Sequence, residues 1–210
     1  MKILGLLAGA ALLVGAQSAS AATITNGSFE TGNPTTVGFG SSGYSTEIAG
    51  SGAISGWTIN GGSVDYIAGF WPAADGARSL DLSGNNPGTI SQGVTGLVNG
   101  QEYKVTFSLR GNTDGPASSQ SVDVSLGSYF GTFSAPSTST SWVTQSFTFI
   151  YNGGSNLLVF AAGPNGPYGP GLDNVQIAAT PIPGAILLFG SALGGMGFLG
   201  YRRRKAQAAA

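Results

Sequence analysis

The sequence predicts an all-β chain: an antiparallel β-sandwich flanked by an N-terminal signal peptide and a C-terminal transmembrane helix. Three observations carry this. Apolar and polar residues alternate with period two through the middle of the chain, Asn/Gly/Pro clusters separate these runs at regular intervals, and the long uncharged apolar stretches are confined to the two ends.

The chain opens with Met1-Lys2, a positive start. An apolar or small run follows over residues 3–16, and Ala19-Ser20-Ala21 then offers the small-x-small pattern that signal peptidase accepts. The run is shorter than the ~20 residues a membrane-crossing helix needs. Residues 1–22 therefore read as a cleaved signal peptide, with signal peptidase as the first partner.

Residues 23–178 form the predicted sandwich. Its first strands are expected at 54–59, 63–67, 78–82 and 89–94. The clearest alternation follows: Tyr103, Val105, Phe107 and Leu109 against Lys104, Thr106, Ser108 and Arg110, then Val122, Val124 and Leu126 against Asp123 and Ser125, and Phe147, Phe149 and Tyr151 against Thr148 and Ile150. Strands at 156–161 and 172–177 complete the set. The turns between them, such as Asn60-Gly61-Gly62, Asn85-Asn86-Pro87-Gly88, Asn99-Gly100 and Asn152-Gly153-Gly154, supply positive or fixed φ. Two segments, 33–52 and 164–170, show no such alternation and read as surface loops at sandwich ends, where ligand contacts tend to be built.

Charge is scarce, at 8%, and unevenly placed. All nine acids lie in the middle region against Arg78, Lys104 and Arg110, so three minus nine gives that region −6. A domain of this sign has no footprint for nucleic acid. Cys and His are both absent, which excludes disulfides, thiolate nucleophiles, His-based triads and zinc sites that depend on either residue. Nine acids always supply a nominal glycosidase pair, but no pair is singled out, and Lys104 reads as part of a solvated strand face. The expectation is a protein without catalytic residues.

After the sandwich, Pro181-Ile182-Pro183 leads into an apolar stretch with no charge until Arg202-Arg203-Arg204-Lys205. Its length suits a short spanning helix, and the cations hold their side in the cytoplasm. Residues 206–210 are then a cytoplasmic tail and the domain faces out. Gly190 and Gly194 also fit the small-xxx-small pattern of membrane helix pairs.

The order Pro181-x-Pro183, apolar helix, Arg202, Arg203 and Arg204 resembles the PEP-CTERM and VPLPA class of sorting signals, over residues 179–205. The resemblance implies processing by an exosortase-type membrane enzyme. The protein would be held in the inner membrane by its C-terminal helix and, after processing, reach the cell surface or extracellular matrix. A plain membrane anchor is the alternative.

The middle carries a second resemblance. Asn26-Gly27-Ser28-Phe29-Glu30, Gly56-Trp57, Gly62 to Ile67, Trp71, Asp75-Gly76, Ser79 to Gly84 and Leu172-Asp173-Asn174-Val175 look like the choice-of-anchor C family, itself similar to galactose-binding-like jelly rolls and many carbohydrate-binding modules. It implies a jelly roll, and a structural calcium ion held by Glu30 and Asp173 with Asp75 as a third ligand. No other cofactor is required. Calcium suits hard oxygens and Gly-rich turns; the same acids read equally well as caps accepting backbone hydrogen bonds.

Sugar binding needs an aromatic face and a few polar groups to hold hydroxyls. Trp71, Tyr66, Asp65 and Arg78 lie close in sequence, and Trp71, within Gly69-Phe70-Trp71-Pro72, is the aromatic expected to be exposed. Tyr168 in the Pro/Gly loop is a second platform. Trp57 and Trp142 read as core, and the competing reading has Trp71 plugging a sandwich end. The expected function is an exported, non-enzymatic module that binds carbohydrate or an exopolysaccharide matrix. The alternative is a structural matrix protein acting through protein contacts.

Overall fold

The computed structural model describes residues 21–35, 43–114, 120–136, 139–163, 166–181 and 194–195. Along the chain the strands are β1 (Tyr44–Ile48), β2 (Thr58–Gly61), β3 (Ser63–Ile67), β4 (Ser79–Asp81), β5 (Thr89–Gly93) and β6 (Glu102–Arg110). There follow β7 (Gln120–Leu126), β8 (Tyr129–Ala135), β9 (Val143–Ile150), β10 (Leu157–Ala162) and β11 (Gly171–Ala179). They make two sheets, ordered β1-β3-β4-β11-β6-β9 and β2-β5-β10-β7-β8. Every pairing between them is antiparallel. The expected all-β sandwich is what the chain forms.

Alternation decides the layers. Tyr103, Val105, Phe107 and Leu109 of β6 are buried facing Val122, Val124 and Leu126 of β7 and Leu158 and Phe160 of β10. Phe107 sits centrally, its ring centroid 5.2 Å from Phe160 and 5.0 Å from Phe133 in edge-on contacts. Fully burying side chains of this kind stabilises the sandwich by about 1.5–3 kcal/mol each.

Two expectations need correction, and one strand was not predicted. Residues 54–57 are a turn rather than strand, the Trp57 N–H donating to the Ile54 carbonyl at 3.1 Å, so β2 begins only at Thr58. The segment 33–52 is not all loop, because it contains β1. There the inward-facing residues are polar: buried Glu47 accepts from the Thr35 N–H, the Thr35 hydroxyl, Ser45 and Ser51, so the usual apolar alternation is missing. Strand β8 was also hidden, because its aromatics fall on both faces: Phe130 is exposed while Tyr129 stacks on Phe147 at 3.8 Å.

The signal peptide (described only from Ala21), Pro183, Arg202, Arg203, Arg204 and the apolar run between them, apart from Gly194 and Gly195, lie outside the described residues, and Pro181 is exposed at the end of the domain. Among the described residues no helix is long and apolar enough to cross a membrane.

Candidate functional site

The register of the six-stranded sheet builds the site. Asp65 of β3 lies opposite Asp81 of β4, Asp81 opposite Gly171 of β11, and Gly171 opposite Arg110 of β6. The neighbours of these residues, Val64, Tyr66, Leu80, Leu172 and Leu109, fill the core. The row Asp65, Asp81, Gly171, Arg110 must therefore project from the outer face. A Cβ on Gly171 would lie 2.5 Å from Arg110 Cγ and 3.2 Å from Trp142 Cη2. Glycine at this point lets the Arg110 side chain lie across β11.

The β3–β4 connection covers part of this face. Its Trp71 donates from Nε1 to the Ser79 hydroxyl at 2.8 Å and lies over the Arg110 guanidinium, with Cζ 4.3 Å from the ring centroid. Trp142 flanks the same guanidinium at 5.8 Å and donates to the Pro72 carbonyl at 2.9 Å. The Gly43 carbonyl accepts from the Ala68 and Phe70 N–H groups at 2.8 and 3.2 Å, which brings Tyr44 to Phe70 in an edge-on contact of 5.4 Å.

Asp81 is the hub for the loops on the other side. Its Oδ1 accepts from the N–H of Ser83 at 2.8 Å and of Gly169 at 3.1 Å, and its Oδ2 from the Asn112 amide at 2.7 Å. Asn112 in turn accepts from the Asp114 N–H at 3.0 Å. Buried Gln120 accepts from the Asn112 N–H at 2.7 Å and donates to the carbonyls of Asn112 and Tyr168 at 2.9 and 3.0 Å. Between these loops and the β3–β4 connection lies a cleft of about 120 Å³, lined by Tyr44, Asp65, Ile67, Phe70, Trp71, Asp81, Asn112, Asp114, Pro167 and Tyr168. Tyr44, Phe70 and Tyr168 form its exposed rim.

Burial pushes the Asp81 carboxyl well above the usual carboxylate range; bonds from Ser83 and Asn112 oppose the rise and the neighbouring Asp65 charge adds to it. Burial also raises Asp65, against the hydrogen bond that the Thr46 hydroxyl donates to it. Two adjacent carboxyls, both driven toward the neutral form, thus share one wall.

A second acid-centred cluster explains the Asn-x-x-Phe-Glu motif. The Asn26 side chain bridges Thr31 and the Ser55 carbonyl. Gly27 packs so closely on the irregular part of β11 that a Cβ would lie 2.0 Å from the Val175 carbonyl oxygen. The Ser28 hydroxyl donates to Asp75 at 2.7 Å, Phe29 enters the core beside Trp57, and Glu30 accepts from the Ala77 and Arg78 N–H groups at 2.9 and 2.8 Å. Asp173, fully buried, accepts from the N–H groups of Ala74, Asp75 and Asn174 at 2.7, 3.0 and 2.6 Å. Burial raises its carboxyl to about 6 against these bonds.

The three acids proposed for calcium thus meet around one loop, residues 74–78. Glu30 and Asp173 direct oxygens at backbone N–H groups, and Asp75 accepts from Ser28. Among the described residues no three acids converge on a common point that could hold a metal ion. As they stand, the three acids are engaged by protein donors.

The predicted sugar residues separate. Asp65, Trp71 and Tyr168 reach the cleft. Tyr66 does not: it follows Asp65 in a strand and points to the opposite face, where its buried hydroxyl donates to the Phe29 carbonyl. Arg78 follows it there, donating to the Tyr66 oxygen at 2.7 Å. Trp71, expected to be exposed, is only 7% so because Arg110, Phe70 and Ser79 enclose it, whereas its neighbour Phe70 is 48% exposed. Trp57 is core as expected, but Trp142 is only half-buried, just ahead of β9. Tyr44, Phe70, Asp81, Asn112 and Asp114 were not anticipated. Phe70 could have been found as the second aromatic of the Gly69–Pro72 loop.

A family model described as a protein of unknown function (DUF642) matches residues 22–178. Halomucin of Haloquadratum walsbyi is 30% identical over 186 residues, 87% of this chain; the chain spans 2% of that protein's length. Among solved structures, a family 16 carbohydrate-binding module is 16% identical over 55% of this chain and 84% of its own, with a TM-score of 0.44. The CBM22-1 xylan-binding domain of Paenibacillus barcinonensis Xyn10C is 15% identical over 65% and 90%, with a TM-score of 0.43. TmCBM61, solved in complex with β-1,4-galactotriose, is 13% identical over 74% and 97%, with a TM-score of 0.42.

Proposed function

The chain belongs to the DUF642 family, and from that premise we propose that it is an exported, non-catalytic module that binds carbohydrate at the outer-face cleft. The observation that carries this reading is the rim: three exposed aromatic rings, Tyr44, Phe70 and Tyr168, around a recess lined by Asp65, Asp81, Asn112 and Asp114. Flat rings suit the C–H faces of a sugar, and carboxyls and amides suit its hydroxyls. Asp81 is committed through both oxygens to holding loops, which supports a binding rather than a catalytic role for the carboxyl pair.

The test is electrophoresis of the full chain through gels containing different polysaccharides. Retardation in at least one gel, weakened severalfold by Phe70→Ala and by Tyr168→Ala, is expected. Passage unretarded through every gel transfers the case to a second reading, a matrix protein that works by protein contacts. That reading has its own support. The sheet edges β8 and β9 contain no charged residue and expose Phe130, Val143 and Ile150, and unprotected edges invite strand pairing.

The proposal extends to a choice-of-anchor C protein with an exosortase-processed tail, displayed at the cell surface or in the matrix after inner-membrane anchoring. Support comes from Pro181-x-Pro183 and the terminal Arg cluster. Mass spectrometry of the exported protein should find a C-terminus upstream of Arg202; an intact Ala210 removes the processing step.

A further inference from the structure

We infer that the cleft selects glycans bearing a free amino group, an ammonium seated among aromatic rings and carboxyls. This rests on the carbohydrate-binding reading of the cleft and names its ligand class.

The lining is asymmetric in charge. Among the described residues it holds three carboxyl groups, Asp65, Asp81 and Asp114, and no cation. The nearest basic side chain across the sheet, Arg110, is 4% exposed and covered by Trp71 and Trp142. Its charge is enclosed by the wall and is not offered to a ligand. That charge acts on Asp81 and Asp114 from within the wall, and a uronic acid entering here would meet carboxyls with no exposed cation among the lining residues.

An ammonium meets the reverse situation. Tyr44, Phe70 and Tyr168 are the exposed aromatics around the recess, and aromatic faces attract cations. Asp114, exposed and with its backbone N–H held by Asn112, supplies a charge-assisted acceptor, and half-buried Asp65 adds a carboxyl hydrogen-bonding group beside it. The domain as a whole has the same sign, with nine acids against three basic residues. The recess, about 120 Å³, is far smaller than the ~300 Å³ or more of sites for drug-sized ligands. It suits one sugar unit, not a threaded chain.

The experiment is calorimetric titration of the full chain with four probes: a β-1,4-linked glucosamine oligomer, its N-acetylated counterpart, a galacturonic acid oligomer and a short lysine peptide. The glucosamine oligomer should bind at least tenfold tighter than the acetylated one. Raising salt to about 0.5 M should shrink that ratio, because exposed charge pairs are screened. Asp114→Asn should bring it below threefold. Equal or tighter binding of the acetylated or acidic oligomer overturns the ammonium assignment while leaving a carbohydrate site in place. Binding of the lysine peptide as tightly as the glucosamine oligomer overturns the assignment to a glycan. No binding of any of the four, together with free passage through every polysaccharide gel, removes the carbohydrate reading itself.

Discussion

Asp173 and Asp81 occupy the same face of the same sheet, both buried and both accepting loop hydrogen bonds, yet one closes its surroundings and the other leaves them open. Asp173 takes three backbone N–H groups from residues 74, 75 and 174, and the loop above it is also tied down by Glu30 and Ser28. Asp81 takes two N–H groups and one side-chain amide, from three separate turns. Those turns splay around it and leave a recess beside Asp65. A buried aspartate is therefore a fastener in both places. Whether it also walls a binding site depends on whether the fastened loops meet above it.

The largest effect that tests this contrast is on stability against pH. The Asp173 carboxyl is raised in the folded protein to about 6 from 3.8. Between about pH 4 and 6 the native state holds a proton that the unfolded chain has released, so stability falls as pH rises through that window and levels off above it. The difference sets an upper bound of about 3 kcal/mol, which solvent screening reduces. Asp81, raised in the same sense by burial, adds to the fall. Denaturant midpoints of the wild type should decline from pH 4 to pH 6, and Asp173→Asn should flatten the decline whatever its absolute stability. A midpoint that rises across this window, or a slope that Asp173→Asn leaves intact, removes the account of Asp173 as a carboxyl buried under its loop.

The legibility of the two regions differed for the same reason. Strands such as β3 and β6 were readable because each residue's face follows from its neighbours, and the alternation of Tyr103 to Arg110 needs no tertiary information. The motif Asn26 to Glu30 was readable as a motif. Its role was not, because Gly27 is required by the Val175 carbonyl and Glu30 by the Ala77 and Arg78 N–H groups, all distant in sequence. The cleft was less readable still. Asp81 sits in Ser-Leu-Asp-Leu, which reads as an ordinary solvated face until Gly169 and Asn112 are seen to reach it. Trp71 and Phe70 are adjacent in one loop, and only Arg110, crossing Gly171, decides that the tryptophan is covered and the phenylalanine exposed. Proximity in sequence grouped Asp65 with Tyr66, although strand geometry sends them to opposite faces.

The smallest expected effect is the response to calcium, and it sharpens the comparison by its absence. If the loop at 74–78 is closed by carboxylate-to-backbone hydrogen bonds, its stability draws nothing from a divalent ion. Melting temperatures with excess calcium and with chelator should then agree within about 1 °C. A ligand that binds only the folded state at 100 times its dissociation constant would add about 2.7 kcal/mol. For a domain of this size that is a shift of several degrees, so the two outcomes are well separated. A shift that is lost in Glu30→Gln would mean that Glu30, Asp75 and Asp173 rearrange around an ion, and the loop over Asp173 would then be a metal-closed site, not a fastener.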